Sequence, residues 1–437
     1  CTVASVDSRF NRRTVVKAGV GAAATLHTVG LRRSSARSRQ GGGEITFMNW
    51  DPIEGTPIES AINAFQEQTG ITVNVQPTPG DDEYETKMRT LLASGSPPDV
   101  MRINDDFVRG YSLAGQLLDL RPLMAEAEID PADYNPHPFN FPVQPDGAHT
   151  AWAIGTQPAL IVYNVDHFEE AGVPLPPTSW TGENWTWDHF LDAAKKLTIP
   201  GERWGVLVVD DTSHETVYPV NNGEATGIYS KDGTQFTLAN PKGIEAVQWV
   251  TDLTCVHEVQ PPWSELTQDN AGEQLFVSGR VSMMQRTFGV SAYLRENVKD
   301  FVWDVAPVPA KDDQQTIATL IAFCIPKAAR NQAGAWELLR FLGGVEGGRI
   351  FAEAGFFLPA HLEALELIQS GEAGPAHINV VTEAAQNATN ENFSQNIERA
   401  RQIYKPQLDL IYLCQQPAAD VLPAVRGQVE DAWAGRS

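Results

Sequence analysis

The chain has 437 residues, of which 42% are apolar and 20% charged, a composition typical of folded globular protein rather than of disorder. This length is too great for one ordinary core and predicts two or three domains. The net charge of −23 is uneven, because residues 1–43 hold eight basic residues and one acid, whereas the rest carries −30. So acidic a body would repel nucleic acid and anionic membranes, and we expect it to bind neither.

Residues 1–43 are interpreted as an export signal followed by a basic linker. Residues 11–17 read Asn-Arg-Arg-Thr-Val-Val-Lys, and a weakly apolar stretch, residues 18–30, follows them. An arginine pair before such a stretch resembles a twin-arginine export signal. The stretch is too short, and too rich in glycine and alanine, to remain in a bilayer. A disordered basic tail is the alternative interpretation.

The cysteines and histidines show no metal-ligand spacing. Cys255, Cys324 and Cys414 lie in apolar surroundings, so we expect buried thiols, although one disulfide at most could form among the three. The nine histidines are scattered, and the common catalytic and phosphate-binding motifs are absent from the sequence. We therefore expect no metal, no cofactor and no enzyme activity.

After the tail, strands and helices alternate. Thr56, Pro57 and Glu59 start a helix with a capping box, and Gly70 ends it. Around that helix we predict strands at 44–50, 71–76 and 99–103, and helices at 82–94 and 106–114. This order predicts a parallel sheet with right-handed crossovers, in which ligands bind beyond the carboxyl ends of the strands.

An apolar run at residues 151–164 is broken once, by Gln157-Pro158. Because proline has no backbone N–H, it does not fit the middle of a sheet ladder. We therefore predict two short strands that meet at this break, and we place the first crossing between two lobes there. A second apolar run, residues 301–309, is expected to be the return crossing.

The remaining segments also alternate. We predict strands at 204–209, 281–284, 303–308 and 316–325, a hairpin around Asp232-Gly233, and helices starting at Thr186, Asn240, Gln268 and Asn331. The last ninety residues are expected to be mostly helical.

Several segments together resemble the extracellular solute-binding proteins of family 1, the maltose-binding-like receptors of ABC sugar importers. The matching segments are 65–73, 95–100, 115–120, 162–164, 185–198, 276–283, 303–307 and 335–342. Each is weak alone, but they occur in the family's order over about residues 44–360.

The resemblance implies an α/β fold of the type II periplasmic-binding-protein class. Each of two lobes would be a mainly parallel sheet flanked by helices, and crossing hinge strands would join them. On this basis we assign 44–157 plus 288–343 to lobe one and 158–287 plus 344–437 to lobe two.

A sugar site needs flat aromatic rings and planar hydrogen-bonding groups. The candidate ligand-binding residues are Trp50, Asp51, Tyr84, Asn104, Asp105, Asp106, Gln157, Tyr218, Asn221, Asn222, Arg286, Phe288, Phe356 and Phe357. Asp51 and Asp106 align with polar ligand contacts of the maltose-binding relatives.

Several of these candidates have structural alternatives. Asp105 and Asp106 would also cap a helix, and Asn221-Asn222-Gly223 would also form a turn. Arg286 would also pair with a carboxylate. Trp185 and Trp187 are expected to pack at a helix start rather than to stack on ligand.

The resemblance further implies an exported receptor, in the periplasm or at the extracytoplasmic face of the cell membrane. It would act as a monomer that captures a mono- or oligosaccharide and delivers it to the permease of an ABC importer. Two alternatives stay open: the same fold binding a polyamine, peptide or glycerol-phosphate compound, and a secreted carbohydrate-active enzyme with two carboxylates.

Overall fold

The computed structural model describes residues 43–50, 52–76, 81–180, 184–209, 214–224, 227–230, 234–266, 270–368, 374–389 and 396–436. All but the last residue of the signal and linker assigned to 1–43, the turn at Asp232-Gly233, the predicted helix start at Gln268 and the candidate Asp51 lie outside these ranges. The described side chains exclude those of Asp105 and Asp106.

The strands of the described chain form a continuous hydrogen-bonded network. They are β1 (Glu44–Met48), β2 (Thr72–Gln76), β3 (Val100–Ile103), β4 (Trp152–Asn164), β5 (Met283–Thr287), β6 (Trp303–Ala306), β7 (Thr316–Cys324), β8 (Leu358–Pro359) and β9 (Ala388–Thr389).

Helices cover both sides of this network. They are α1 (Pro57–Thr69), α2 (Asp81–Ala93), α3 (Asp105–Leu113), α4 (Arg121–Glu126), α5 (Pro136–Asn140), α6 (Val165–Ala171), α7 (Trp187–Leu197), α8 (His214–Asn221), α9 (Pro241–Cys255), α10 (Ala271–Val277), α11 (Val290–Asn297), α12 (Gln332–Leu342), α13 (Val345–Glu353), α14 (Leu362–Leu365), α15 (Ile378–Gln386), α16 (Ile397–Tyr412) and α17 (Ala418–Trp433).

The first sheet has the predicted parallel part. Strand β1 pairs in parallel with β2 and β3, and β7 then runs antiparallel to both β3 and β4. Alternate residues bury on opposite faces, so that Phe47 packs in one apolar cluster and Met48 in another. We call these two clusters together the first core.

The second sheet is built on the other half of β4. Strands β5 and β6 flank it and both run antiparallel to it, so the predicted mainly parallel pairing is not observed among these strands. Ile161 and Tyr163 face one apolar cluster, whereas Leu160 and Val162 face the other. We call these two clusters the second core.

The prediction of two short strands that meet at Gln157-Pro158 was wrong, because β4 is one strand of 13 residues that runs through Pro158. Pro158 lies where β4 changes partners: Pro158 is opposite Ala318 of β7, and Ala159 is already opposite Thr287 of β5. A missing N–H is tolerated at such a change, and the Pro158 carbonyl accepts from the Phe288 N–H at 2.9 Å. Strand β4 passes from the first core at Ile154 to the second core at Ala159, and we propose this point as the first crossing between the lobes.

The predicted return crossing at residues 301–309 was also wrong. Strand β6 in this segment pairs with β4 inside the second sheet, whereas β7 carries the chain back, with Ile317 in the second core and Leu320 in the first. A third crossing follows after Ala360, which still packs in the first core, because Leu365 and Ile368 pack against the second core.

These contacts differ from the predicted lobe boundaries in two places. Residues 288–318 pack in the second core, although all of them were assigned to lobe one. Helix α13 packs in the first core, although it was assigned to lobe two. We therefore propose 44–157 plus 319–364 as lobe one, and 158–318 plus 365–436 as lobe two.

Local signals explain most of the helix starts. The Thr56 hydroxyl caps α1, and the Glu59 carboxylate accepts from the Gly55 N–H at 2.7 Å, one residue earlier than a standard capping box. Asn331 caps α12 through the Gly334 N–H at 2.9 Å. The strand predicted at 204–209 is instead held by separate bridges from Trp204 and Leu207.

The cysteines differ from expectation, because Cys255 and Cys414 form a disulfide. The disulfide joins the end of α9 to the turn between α16 and α17. Only Cys324 keeps the predicted form of a buried thiol. A separation of 159 residues hides such a pairing from sequence reasoning, because the fold alone brings the two segments together.

Candidate functional site

One edge of the first sheet gathers the candidate residues of lobe one. The carboxyl ends of β1, β2 and β3 lie at this edge, because the three strands are parallel neighbours. The amino-terminal half of β7 lies there too, because β7 is antiparallel to β3. Trp50 and Asn104, which follow β1 and β3, therefore lie close to where β4 and β7 pass into the second sheet.

Trp50 is a half-buried aromatic ring at this edge. It stacks on Tyr84 of α2 with ring centroids 5.2 Å apart and an angle of 27° between the planes. Tyr84 is fully buried, and its hydroxyl donates to the Arg102 carbonyl at 2.6 Å. Burial raises the pKa of Tyr84 well above its usual value, so it remains a neutral donor. Tyr84 thus holds the Trp50 ring in place. We had predicted a ligand contact for Tyr84 itself, but its side chain is fully buried.

Arg102 is a residue that sequence reasoning missed. It stands in the otherwise apolar strand β3, which is the signal that could have revealed it. Its Nη2 donates to the Leu320 carbonyl of β7 at 3.0 Å, and its guanidinium lies 5.7 Å from the centre of the Phe323 ring. Arg102 therefore links the Trp50–Tyr84 pair to a strand that crosses between the cores.

Asn104 and the first turn of α3 also lie at this edge. Asn104 lies at the amino-terminal end of α3, is half-buried, and makes no side-chain cap with that helix, so its amide is not used for capping. Asp105 and Asp106 occupy the first turn of α3. Their roles, and that of Asp51, stay predictions.

The crossing brings together two further candidates. Gln157 of β4 is half-buried, and its Nε2 donates to the Phe356 carbonyl at 3.4 Å. The Phe356 ring is half-buried against the first core. Phe288 and Phe357 are buried instead, at 2% and 0% exposure, and Phe357 covers Gly155 of β4 so closely that a Cβ there would overlap its ring.

The lobe-two candidates are engaged in structural contacts. Tyr218 is fully buried beside Trp187 and Trp249, which favours packing over the predicted ligand contact, and this burial raises the pKa of its hydroxyl. Arg286 Nε lies 2.9 Å from the largely buried Glu273 carboxylate. This ion pair corresponds to the alternative considered for Arg286.

Asn221 and Asn222 form the turn that was the alternative to ligand binding. The Asn221 Oδ1 accepts from the Gln315 N–H at 2.6 Å, and the Asn222 Nδ2 donates to the Lys242 carbonyl at 2.9 Å and to Glu245 at 3.0 Å. Both side chains are almost completely buried. These contacts account for the two amides without a ligand.

Within the described ranges, no group of three or more His, Cys, Asp or Glu side chains has the arrangement of a metal site. In the same ranges, no helix combines the length and the apolar character that a bilayer crossing needs. The described candidates at this edge include the Trp50 ring, which is supported by Tyr84 and packs against a cluster that contains Ala153 of β4 and Leu320 of β7. Such a ring, together with the amide candidates, suits a ligand with an apolar face and a hydroxylated rim.

Comparison with known proteins gives matches over most of the chain. A family model described as bacterial extracellular solute-binding protein matches residues 49–349. A putative binding protein of Brucella abortus is 25% identical over 77% of this chain and 81% of its own length. The erythritol/L-threitol-binding protein of Mycolicibacterium smegmatis is 24% identical over 68% of this chain and 65% of its own length.

A solved structure is similar in fold. The ABC substrate-binding protein of Listeria monocytogenes in complex with cycloalternan has a TM-score of 0.81 and 22% identity, over 90% of this chain and 100% of that chain. The two crossing strands and two cores described above therefore correspond to a two-lobe fold of the periplasmic-binding-protein type.

Proposed function

Because the chain belongs to the family of bacterial extracellular solute-binding proteins, we propose that it captures a neutral carbohydrate or polyol between its two lobes and delivers it to the permease of an ABC importer. The observation that carries this proposal is the Trp50 ring, held flat on the buried Tyr84 and next to the crossing strands. An indole face in this position suits the apolar face of a sugar ring.

Amide groups nearby suit the hydroxyl rim of such a ligand. Asn104 and Gln157 each offer a donor and an acceptor, which matches hydroxyl groups that also donate and accept. The acidic body disfavours phosphorylated ligands through charge repulsion. Two relatives fit this chemical class, since one is described as binding erythritol or L-threitol and another was solved with cycloalternan.

The proposal includes export and the lack of catalysis. Members of this family act outside the cytoplasm, and the arginine pair at residues 12–13 supports the twin-arginine route. The family consists of substrate-binding proteins of transporters, which supports a binding role without catalysis.

A thermal-shift screen of the exported chain tests the proposal. Neutral mono- and oligosaccharides, polyols, polyamines and sugar phosphates would each be added at saturating concentration. A ligand at a hundred times its Kd adds about 2.7 kcal/mol to the free energy of unfolding, which raises Tm by roughly 5–10 °C for a protein of this size. We expect such a rise with a neutral sugar or polyol.

Other results of this screen would redirect the proposal. A rise with only a polyamine or a phosphate would keep the receptor and discard the carbohydrate. Turnover of a bound sugar that is lost on changing one carboxylate at the site would contradict the absence of catalysis.

A further inference from the structure

The end of α13 lies at the boundary between the two cores. Phe351 of this helix packs in the first core, and Leu358, a few residues later, packs in the second. The N–H groups of residues 354–356 close the helix end, donating to Ile350, Ala352 and Phe351. Their three carbonyl groups therefore point away from the helix and need donors from elsewhere.

Those donors come from side chains on two other elements. Arg295 Nη1 on α11 donates to the Ala354 and Gly355 carbonyls, both at 2.9 Å. The Ser291 hydroxyl, one turn earlier on α11, donates to the Gly355 carbonyl at 3.1 Å. Gln157 Nε2 on β4 donates to the Phe356 carbonyl at 3.4 Å. We call this set of hydrogen bonds the interlobe clamp.

Helix α11 belongs to the second core, because Ser291 and Leu294 are buried at 1% and 0% exposure and Leu294 packs in its apolar cluster. The clamp therefore joins a helix of the second core to a helix of the first. The contact also suits the charges involved, since a guanidinium at the carboxyl end of a helix is stabilised by the helix dipole.

The environment of Arg295 indicates that its main role is to bond to the carbonyls at the end of α13. Among the described residues no carboxylate lies within ion-pair distance of Arg295, and its Nε and Nη2 are buried without a hydrogen-bond partner. Burial lowers the pKa of the guanidinium, as expected for a desolvated cation. Such a group is stabilised only by the carbonyls it contacts.

Gly355 fits the same arrangement. Its φ of +56° lies in the left-handed region that favours glycine, and a Cβ at this position would overlap the Arg295 guanidinium. The close approach between α11 and the end of α13 therefore depends on this residue.

We propose that Arg295 and Ser291 are positioning residues of the ligand site: they fix the carbonyls of residues 354 and 355, thereby hold the adjacent Phe356 where Gln157 bonds to it, and set how easily the two lobes move. The effect on ligand affinity rests on the proposed function, whereas the effect on lobe motion does not. The longest hydrogen bond of the clamp is that from Gln157 to the Phe356 carbonyl, at 3.4 Å. A ligand can therefore bond to the Gln157 amide in its place, while Arg295 and Ser291 of α11 keep their bonds to residues 354 and 355.

The test combines a distance measurement with a binding measurement on the oxidised full chain. Spin labels at Glu67→Cys on α1 and Lys195→Cys on α7, both exposed, report the separation of the lobes in a Cys1→Ser background. Calorimetric titration with the neutral ligand identified by the thermal-shift screen reports Kd. The variants are Arg295→Met, which keeps the apolar stem, Arg295→Lys, which keeps the charge, and Ser291→Ala.

We expect Arg295→Met to broaden the ligand-free distance distribution and to raise Kd about fivefold to tenfold, because a less populated binding-competent state lowers the apparent affinity. Arg295→Lys should recover part of both effects, and Ser291→Ala should cause a smaller change in the same direction. The matched control is Arg340→Met, since Arg340 is an exposed arginine that pairs with the exposed Glu337 within α12 at 2.6 Å.

Unchanged distances and an unchanged Kd in Arg295→Met would overturn the clamp, and so would equal effects of Arg340→Met. If Arg295→Met does not melt cooperatively, Ser291→Ala decides in its place. If the wild-type chain binds no sugar or polyol, the proposed function fails, but the ligand-free distances still decide the role of Arg295.

Discussion

At the scale of single residues, the candidate site is centred on one half-buried ring, Trp50, and the groups that hold it. Trp50 is expected to contact ligand directly, whereas Tyr84 acts through Trp50 because it is buried and bonded to the Arg102 carbonyl. Sequence reasoning placed both residues at the correct edge of the sheet. It could not separate their roles, because contact and support both require an aromatic side chain.

Replacing Trp50 tests its contact with ligand. Trp50→Leu should raise Kd for the neutral ligand about tenfold, or about 1.4 kcal/mol, because leucine lacks the flat face that stacks on a sugar ring. Trp50→Phe is the matched control and should retain most of the affinity. Equal Kd values for all three proteins in calorimetric titration would remove Trp50 from the site.

Because His149 is buried, we expect the stability of the protein to depend on pH. It is 4% exposed and stacks on Trp152, and burial lowers its pKa to about 4. The unfolded chain, with a pKa of about 6.5, binds this proton first as the pH falls. The free energy of unfolding should therefore decrease between pH 6.5 and 4, by about 3 kcal/mol from this residue.

Denaturant unfolding at pH 7 and pH 4.5 measures this dependence. His149→Leu should make the difference between the two pH values smaller than in the wild type. His189→Leu, an exposed position on α7, is the control and should leave the difference as it is. If His149→Leu shows the same difference in the free energy of unfolding between the two pH values as the wild type, the pH dependence comes from other groups.

At the scale of elements, strands and helices with local signals were predictable, and long-range pairings were not. The capping residues Thr56 and Asn331 specify helix starts by contacts within four residues, so the sequence alone reveals them. The course of β4 through Pro158 depends on its partners β5 and β7, which lie more than a hundred residues away. Pattern reasoning had no access to those partners.

The same limit explains the candidates of lobe two. Asn221 and Arg286 have the chemistry of ligand contacts, but loop 309–315 and Glu273 already use their polar groups. Only tertiary contacts reveal such partners. Tyr218 and Phe357 are buried as well, which favours packing over ligand contact. The sequence could not reveal this, because aromatic residues of a core and of a cleft look alike in a sequence.

Asp99 joins three elements, and its removal should destabilise all of them. Its carboxylate accepts from the Thr46 N–H and hydroxyl at 2.9 and 2.8 Å, and from the Asn331 N–H at 2.8 Å. Asp99→Ala leaves these buried donors unsatisfied and should lower the free energy of unfolding by about 2–4 kcal/mol.

Urea denaturation compares this variant with Asp192→Ala. Asp192 is exposed and pairs with Lys196 one helical turn away, so its loss should cost about 0.5 kcal/mol or less. Similar costs for the two variants would show that Asp99 does not connect β1 to α12 in the way described.

The disulfide between Cys255 and Cys414 should stabilise the attachment of α16 and α17 to α9. It closes a loop of 159 residues, and its removal should cost about 2–5 kcal/mol. Cys255→Ser with Cys414→Ser should therefore lower Tm, and a reductant should lower the Tm of the wild type to a similar value. Alkylation under denaturing, non-reducing conditions that modifies all three of Cys255, Cys324 and Cys414 would contradict the disulfide.

At the scale of the whole molecule, the two cores and the three crossings between them give the chain its function. The edge of the first sheet that we propose for the ligand lies beside the crossing strands, so a ligand bound there could also contact the second lobe. A receptor of this kind gains affinity when closure buries the ligand on both sides. The family and the two-lobe class were predictable because they follow from the order of several motifs along the sequence. The lobe boundaries depend on tertiary contacts, which the sequence does not reveal.

Small-angle X-ray scattering of the full chain, with and without the ligand identified by thermal shift, tests this account most directly. The account predicts a smaller radius of gyration with a neutral sugar or polyol, no change with phosphorylated or cationic compounds, and loss of the contraction at the same ligand concentration in Trp50→Leu. A radius that stays the same while the neutral ligand is shown by calorimetry to be bound would contradict closure of two lobes around it.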